Sequence, residues 1–235
     1  MKSLRLKHVV FIIAAIIIAD QALKIWIKTS YAPGPVTNVL GMDWFRLHFI
    51  ENSGMAWGWK FGNETGKMVL TLFRLAAVIF GTWYLGQIVK KNYRKGFIVC
   101  AALIYAGALG NLIDSMFYGM IFDQGLSASS NYLPYHGIAS FSTAGYSSFL
   151  HGSVVDMIHF PILENKHFPS WFPFVGKEDT FTFFSPIFNI ADASISVGVI
   201  TLLLFQKKFF KRHSPKDTHS TVETSTDISD KMQVL

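Results

Sequence analysis

Asp20, Asn111, Asp114, Asn189 and Asp192 stand inside or at the edge of apolar runs, where hydrocarbon would leave a polar side chain unsolvated. A carboxylate in such a place costs about 2.5–3.5 kcal/mol on insertion scales, so each one calls for a functional reading. Asn111 and Asp114 are three residues apart, as are Asn189 and Asp192, and Asp20 and Lys24 are four apart. Each pair therefore shares one face of a helix. A further carboxylate, Asp156, lies in the apolar segment HGSVVDMIHF, read as strand-like or re-entrant, just before the run that carries Asp192. Two carboxyl groups held close together cannot both ionise; one keeps a proton. The ionised member can then take a proton from water while the protonated one polarises a peptide carbonyl. This chemistry needs no cofactor and no covalent intermediate, and its titration belongs to the pair.

Competing chemistries have weaker footing. There is no HExxH, and His136, His151, His159 and His167 lack zinc-ligand spacing, so no metal is expected. No GxSxG elbow is present, and Lys24 is the one lysine at an intramembrane edge that a serine nucleophile would need. Cys100 lies near the opposite end of its span from the polar cluster and reads as packing. Being the sole cysteine, it also excludes an internal disulfide.

The elements that must position these groups are membrane helices. The chain is 51% hydrophobic and only 15% charged, well below the roughly 25% charge of soluble domains. Four apolar runs approach the length of about 20 residues needed to cross a bilayer. They extend from about Val9 to Trp26, Met68 to Val89, Phe97 to Leu112 and Ile187 to Phe205. Lys2, Arg5 and Lys7 precede the first; Lys90, Lys91, Arg94 and Lys95 fill the turn between the second and third; Lys207, Lys208, Lys211 and Arg212 follow the fourth. The alternate segments are long and poor in cations: Arg46 and Lys60 in 29–66, Lys166 and Lys177 in 115–186. The positive-inside rule then puts both termini in the cytoplasm and all the polar clusters at the outer level. The net charge of +6 reflects these flanking anchors and carries no nucleic-acid signature.

The basic start and apolar run of the first segment could also be a cleavable signal peptide, but no small-x-small site follows and DQALKIWIK continues the helix. Small residues around the polar groups (Gly107, Ala108, Gly110, Ala191, Ala193, Ser194) allow close helix approach. The fold class expected is a mostly α membrane protein with four transmembrane helices and a small extracytoplasmic sheet and loop domain. Residues 1–212 form the membrane unit, with outer segments 29–66 and 115–186; the Ser-, Thr- and Lys-rich tail 213–235 is expected to be disordered.

At these residues the chain resembles the lipoprotein signal peptidases, the bacterial signal peptidase II family. IIIADQALKIWI (16–27) is similar to the family's Asp–Gln–x–x–Lys block, FIENSGMAWG (49–58) to its block with Asn52, Gly54 and Ala56, and AGALGNLIDS (106–115) to its Gly-rich Asn–x–x–Asp block, with Ala106 at the first glycine. VVDMIHF (154–160) and FNIADASISVG (188–198) resemble the two blocks with the catalytic aspartates. The resemblance implies an intramembrane aspartyl endopeptidase of the bacterial inner membrane, acting near its extracytoplasmic face. It would cut prolipoproteins just before a cysteine that carries diacylglycerol. It implies Asp156 and Asp192 as the dyad, and Asp20, Lys24, Asn52, Gly54, Asn111, Asp114 and Asn189 as supporting or substrate-contacting positions. It further implies that 29–66 builds a small sheet that cradles the substrate, with LHFI as a strand and Trp44, Trp57 and Trp59 suited to the interface or to core packing. A monomer is expected, with prolipoproteins and membrane lipids as partners.

Three features depart from the pattern. Ser115 stands where many members carry arginine, so water or another cation must do that work. Residues 116–150 form a long Ser-, Gly- and Tyr-rich stretch, and 161–186 an aromatic, Pro-rich one, either of which could act as a lid or touch lipid. Two non-peptidase readings stay open at this stage. A proton-coupled carrier would spread its polar residues over both membrane halves. An assembly factor would tolerate neutral residues at both 156 and 192, and interhelical glue would explain any one Asn–Asp pair.

Overall fold

Three long apolar helices dominate the computed structural model, which describes residues 4–52, 64–125, 137–161, 163–167, 180–183 and 185–210. Helix α1 is Leu6–Ser30, α2 Glu64–Lys90 and α3 Lys95–Ile113. Each extends a turn or less beyond its apolar run, because the flanking lysines and polar residues continue the helix without a breaker. Gly54, Trp57, Trp59, Lys60, His136 and Lys177 lie outside the described residues, as do Lys2, Lys211, Arg212 and the tail 213–235.

The fourth apolar run is divided. Ile187–Phe188 is a two-residue strand, and the helix starts only at Ile190 and runs to Leu204. The expected start at Ile187 is thus three residues early. Strand pairing claims the first two residues, and Asn189 then caps the helix, its side-chain oxygen accepting the Asp192 N–H at 2.8 Å. This helix (α5, after the short α4 at Gly119–Ile121) has 15 residues and is followed by α6, Gln206–Phe210.

Beside the helices lies an antiparallel sheet in the order β1 (Val36–Asn38), β2 (Arg46–Asn52), β3 (Val154–His159), β6 (Ile187–Phe188). The LHFI strand is part of β2. In β2–β3, Ile50 faces Asp156 and Asn52 faces Val154, with an irregularity between Leu47 and Ile50. In β3–β6, Ile158 faces Phe188. This last pairing carries the chain into Asn189 next to Asp156, so the sheet register unites two blocks more than thirty residues apart. Alternation does the rest. Val155 and Met157 are buried with Ile27, Phe49, Tyr118 and Phe122 in one core cluster, and Asp156 between them faces the helices.

The Ser-, Gly- and Tyr-rich stretch is not loose where it is described. After α3 the helix widens into a π turn at Asp114–Tyr118 before α4. The N–H groups of Ser147, Leu150 and Gly152 bond back to the carbonyls of Gly119, Met116 and Ser115. Phe122 bridges to Phe141, and Ala139 joins the core cluster. Residues 137–153 are therefore packed structure; 126–136 lie outside the described residues. In the second stretch, β4 (Leu163–His167) pairs antiparallel with β5 (Thr180–Phe183) as a separate two-stranded sheet. Trp44 is exposed and stacks on Phe45 and Phe160 with ring centroids 6.1 Å away in each case, rather than entering the core.

Helix α3 packs most closely on α5. At Gly107 an added methyl would meet the Ala191 carbonyl and lie 2.6 Å from Ser194 Oγ. At Gly110 it would lie 2.9 Å from Asp20 Oδ2. Gly107→Val should therefore push α5 away, lowering stability by about 1–3 kcal/mol and depressing the thermal midpoint in detergent. An unchanged midpoint would contradict this close contact.

Candidate active site

Lys24 is the hub of the site. Its ammonium has no solvent exposure and lies 2.8 Å from Asp20 Oδ2 and 2.8 Å from Asp114 Oδ2. Its third donor goes to Asn111 Oδ1 at 3.0 Å. An ammonium has three N–H groups, and all three are used. Asp20 reaches onward through Oδ1, which accepts the Ala191 N–H at 2.8 Å in the first turn of α5. Asp114 Oδ2 also accepts the Val155 N–H of β3 at 3.3 Å. One ion cluster thus ties α1 and α3 to α5 and to the strand that holds Asp156.

Two amides connect this cluster to the candidate dyad. Asn111 donates to Asp192 Oδ1 at 2.7 Å. Asn189 donates to Asp156 Oδ1 at 2.7 Å, and its NH2 also lies 3.1 Å from Asn111 Oδ1 and 3.2 Å from the Val155 carbonyl. Asn111 and Asn189 are therefore oriented by their other contacts: the Asn111 oxygen is held by Lys24, and the Asn189 oxygen by the Asp192 N–H. Each presents an N–H to one aspartate. Asp156 is 3% exposed, whereas Asp192 is only half-buried. Burial first, and then the negative charge of Asp192, push the Asp156 carboxyl up to about 8.

The structure brings together Asp20, Lys24, Asn111, Asp114, Asp156, Asn189 and Asp192. Asn52 sits at the end of β2 opposite Val154 and lines a narrow cleft. Gly54 falls outside the described residues. Sequence reasoning passed over Gln21, which donates to Asp114 Oδ1 at 2.8 Å and accepts the Tyr118 hydroxyl at 3.1 Å. It lies next to Asp20 in an otherwise apolar run, and that was its available signal. Lys28, one turn beyond Lys24, is fully buried, pairs with Glu51 of β2 and lies 5.1 Å from the ring centres of both Phe122 and Tyr146. Ser115 accepts a hydrogen bond from Arg74 Nη1 of α2 at 3.0 Å and donates to the Asn111 carbonyl at 3.0 Å. A cation does stand at Ser115, supplied by another helix.

Removing Lys24 leaves Asp20 and Asp114 facing each other without their shared counter-ion. Lys24→Met should lower stability by about 3–5 kcal/mol, and adding Asp114→Asn should recover part of the loss. Thermal unfolding of the single and double variants measures this; a single variant as stable as the parent would rule out the ion cluster as the organiser.

Comparison with known proteins places this arrangement. A family model described as signal peptidase (SPase) II matches residues 12–208. The lipoprotein signal peptidase of Porphyromonas gingivalis (strain ATCC 33277) is 42% identical over 199 residues, covering 84% of this chain and 82% of that protein. That of Amoebophilus asiaticus (strain 5a2) is 31% identical over 191 residues, 80% of this chain and 72% of the relative. A bacterial membrane enzyme solved by the in meso method at 2.3 Å superposes with a TM-score of 0.54 at 25% identity, over 91% of this chain and 96% of that one. The chain belongs to the signal peptidase II family and is a peptidase.

Proposed function

We propose that Asp156 and Asp192 form the catalytic dyad with which this peptidase removes the signal peptide from prolipoproteins, cutting on the N-terminal side of a diacylglyceryl-bearing cysteine. The observation that carries this reading is the pair of amide donors, Asn189 on Asp156 and Asn111 on Asp192, each at 2.7 Å and each locked by further hydrogen bonds. Two carboxyl groups oriented in this way, with one of them made hard to ionise, match the needs of general acid–base hydrolysis.

Asp156 is the protonated member. Asp192 takes a proton from the attacking water as its oxygen bonds to the scissile carbon. Asp156 gives its proton to the carbonyl oxygen, yielding a gem-diol. On collapse, Asp192 returns a proton to the leaving nitrogen and a diol hydroxyl reprotonates Asp156. Asp20, Lys24, Asp114 and Gln21 hold the scaffold, and Asn52 and Gly54 are positions for substrate backbone contact.

Four helices cross the bilayer in this reading, with both termini in the cytoplasm. Although α5 alone is short, residues 190–210 rise about 30 Å if α5 and α6 act as one span. The sheet and the dyad then lie near the extracytoplasmic face of the bacterial inner membrane. The substrate helix enters laterally, its lipid stays in the bilayer, and the working unit is a monomer.

The test is a gel-shift assay on a diacylglyceryl-modified prolipoprotein beside the same substrate without lipid. Wild type should cut the lipidated form only, and Asp156→Asn and Asp192→Asn should each slow cleavage by about 10²–10⁴-fold. Full activity in either variant refutes the dyad. The same assay across pH tests the proton assignment. Asp156 binds its proton more tightly than a free carboxyl does, so the competent state persists at neutral pH and kcat falls as pH rises through about 8. A flat profile to pH 10 would remove Asp156 as the acid.

A further inference from the structure

Arg74 stands in the apolar helix α2, between Phe73 and Leu75, where a guanidinium is as costly as the carboxylates opposite it. Its neighbours Leu72 and Phe73 are exposed on the apolar surface, whereas Arg74 is half-buried and turned toward α3. There Nη1 donates to Ser115 Oγ at 3.0 Å, and the Ser115 hydroxyl in turn donates a hydrogen bond to the Asn111 carbonyl. Among the described residues this is the hydrogen bond Arg74 makes, out of the five N–H groups a guanidinium carries. The carboxyl groups whose charge acts on it are those of Asp192, Asp114 and Asp156.

Arg74 lines a narrow cleft, too tight for a water as it stands, together with Asn52, Lys67, Leu70, Thr71, Ser115 and Gly152. Lys67, Thr71 and Arg74 recur at helical spacing on one face of α2, and Lys67 is tied to Ser153 at 3.2 Å. Gly152 and Ser153 lead directly into β3, and Asn52 pairs with Val154, two residues before Asp156. The cleft thus runs alongside the strand that carries the candidate acid. Its lining is rich in donors. The positive charge of Arg74 already has the carboxylates of Asp192 and Asp114 as counter-charges, so a neutral acceptor suits its remaining donors. An extended peptide in a site closed to water brings such acceptors, because its carbonyls must be satisfied by protein groups.

We propose that Arg74 is a substrate-positioning residue: anchored on Ser115, its guanidinium holds a backbone carbonyl of the prolipoprotein segment that lies beside Asp156. This rests on the peptidase reading above. A cation arriving from α2 does its work at position 115, so a guanidinium grown from 115 itself should replace it once the space at 74 is vacated.

The experiment measures kcat and KM of full-length protein in detergent on the lipidated prolipoprotein, with wild type and Asp192→Asn as active and inactive controls. Arg74→Ala should lower kcat/KM by about 10–100-fold, the range for loss of a hydrogen bond to a charged group, mainly through KM, with the alkaline limb of the pH profile moving by well under a pH unit. Arg74→Lys should retain part of the activity, and Arg74→Ala combined with Ser115→Arg should regain most of it. Wild-type kcat/KM in Arg74→Ala overturns the inference. So does a loss that neither lysine at 74 nor arginine at 115 repairs, or a shift of the alkaline limb by a full pH unit, which would make Arg74 a tuner of the dyad. Failure of wild type to cleave would instead strike the peptidase reading.

Discussion

A lysine ammonium without water must have every proton bonded and its charge matched nearby, and the architecture follows from meeting that demand at Lys24. Desolvating an ion costs several kcal/mol even after relaxation. Only close, well-aimed partners offset it. Asp20 comes from one turn earlier on α1, and Asp114 and Asn111 come from one face of α3. Bringing them within 3 Å requires α1 and α3 to approach closely, and Gly110 leaves room for Asp20. Asp20 then has an oxygen left for the first turn of α5, and the Asp114 oxygen that pairs with Lys24 also accepts the Val155 N–H of β3. The cluster is a weak source of net stability, yet taking away one partner leaves an uncompensated buried charge, so its members must stay together.

Orientation passes from that cluster outward through side-chain amides. A carboxamide offers an acceptor and donors on opposite ends, so fixing one end aims the other. Lys24 fixes the Asn111 oxygen and the helix start at Asp192 fixes the Asn189 oxygen; the aimed ends are the N–H groups on the two aspartates. The local charge is partly balanced. Four carboxyl groups face two fixed cations, Lys24 and Arg74, and a proton on one aspartate removes half of the remaining excess.

Much of this was legible in the sequence because hydrocarbon makes polar residues conspicuous. Asp20, Lys24, Asn111, Asp114, Asn189 and Asp192 stand out by type, and their spacing of three or four residues gives a shared face. Asp156 was legible only as part of an apolar segment that reads as strand-like or re-entrant, and the structure makes it a strand. The start of α5 was not, since Ile187 and Phe188 look like the beginning of an apolar helix and become strand only by pairing with β3, thirty residues earlier. Arg74 had the same signal as the aspartates and escaped notice because its partner, Ser115, belongs to another helix. The Ser-, Gly- and Tyr-rich stretch had no period to read. What orders it is long-range: Lys28 against Phe122 and Tyr146, and the Tyr146 hydroxyl accepting the Ser153 N–H at 2.8 Å.

The order of these residues along the chain also sets an order of assembly. Asp20, Lys24 and Asp114 all lie within the first half of the polypeptide, whereas Asp156, Asn189 and Asp192 lie in its second half. Chains emerge and fold from the N-terminus. The ion cluster can therefore close between α1 and α3 while the ribosome is still making β3 and α5. Two of its carboxylate oxygens, Asp20 Oδ1 and the remaining acceptor capacity of Asp114 Oδ2, are then docking points for the N–H groups of Ala191 and Val155 in the remaining segments. A nascent chain that stalls before α5 holds a complete ion cluster and only one of the two aspartates proposed as the dyad, so on that proposal hydrolytic capacity arises at the last step of biogenesis.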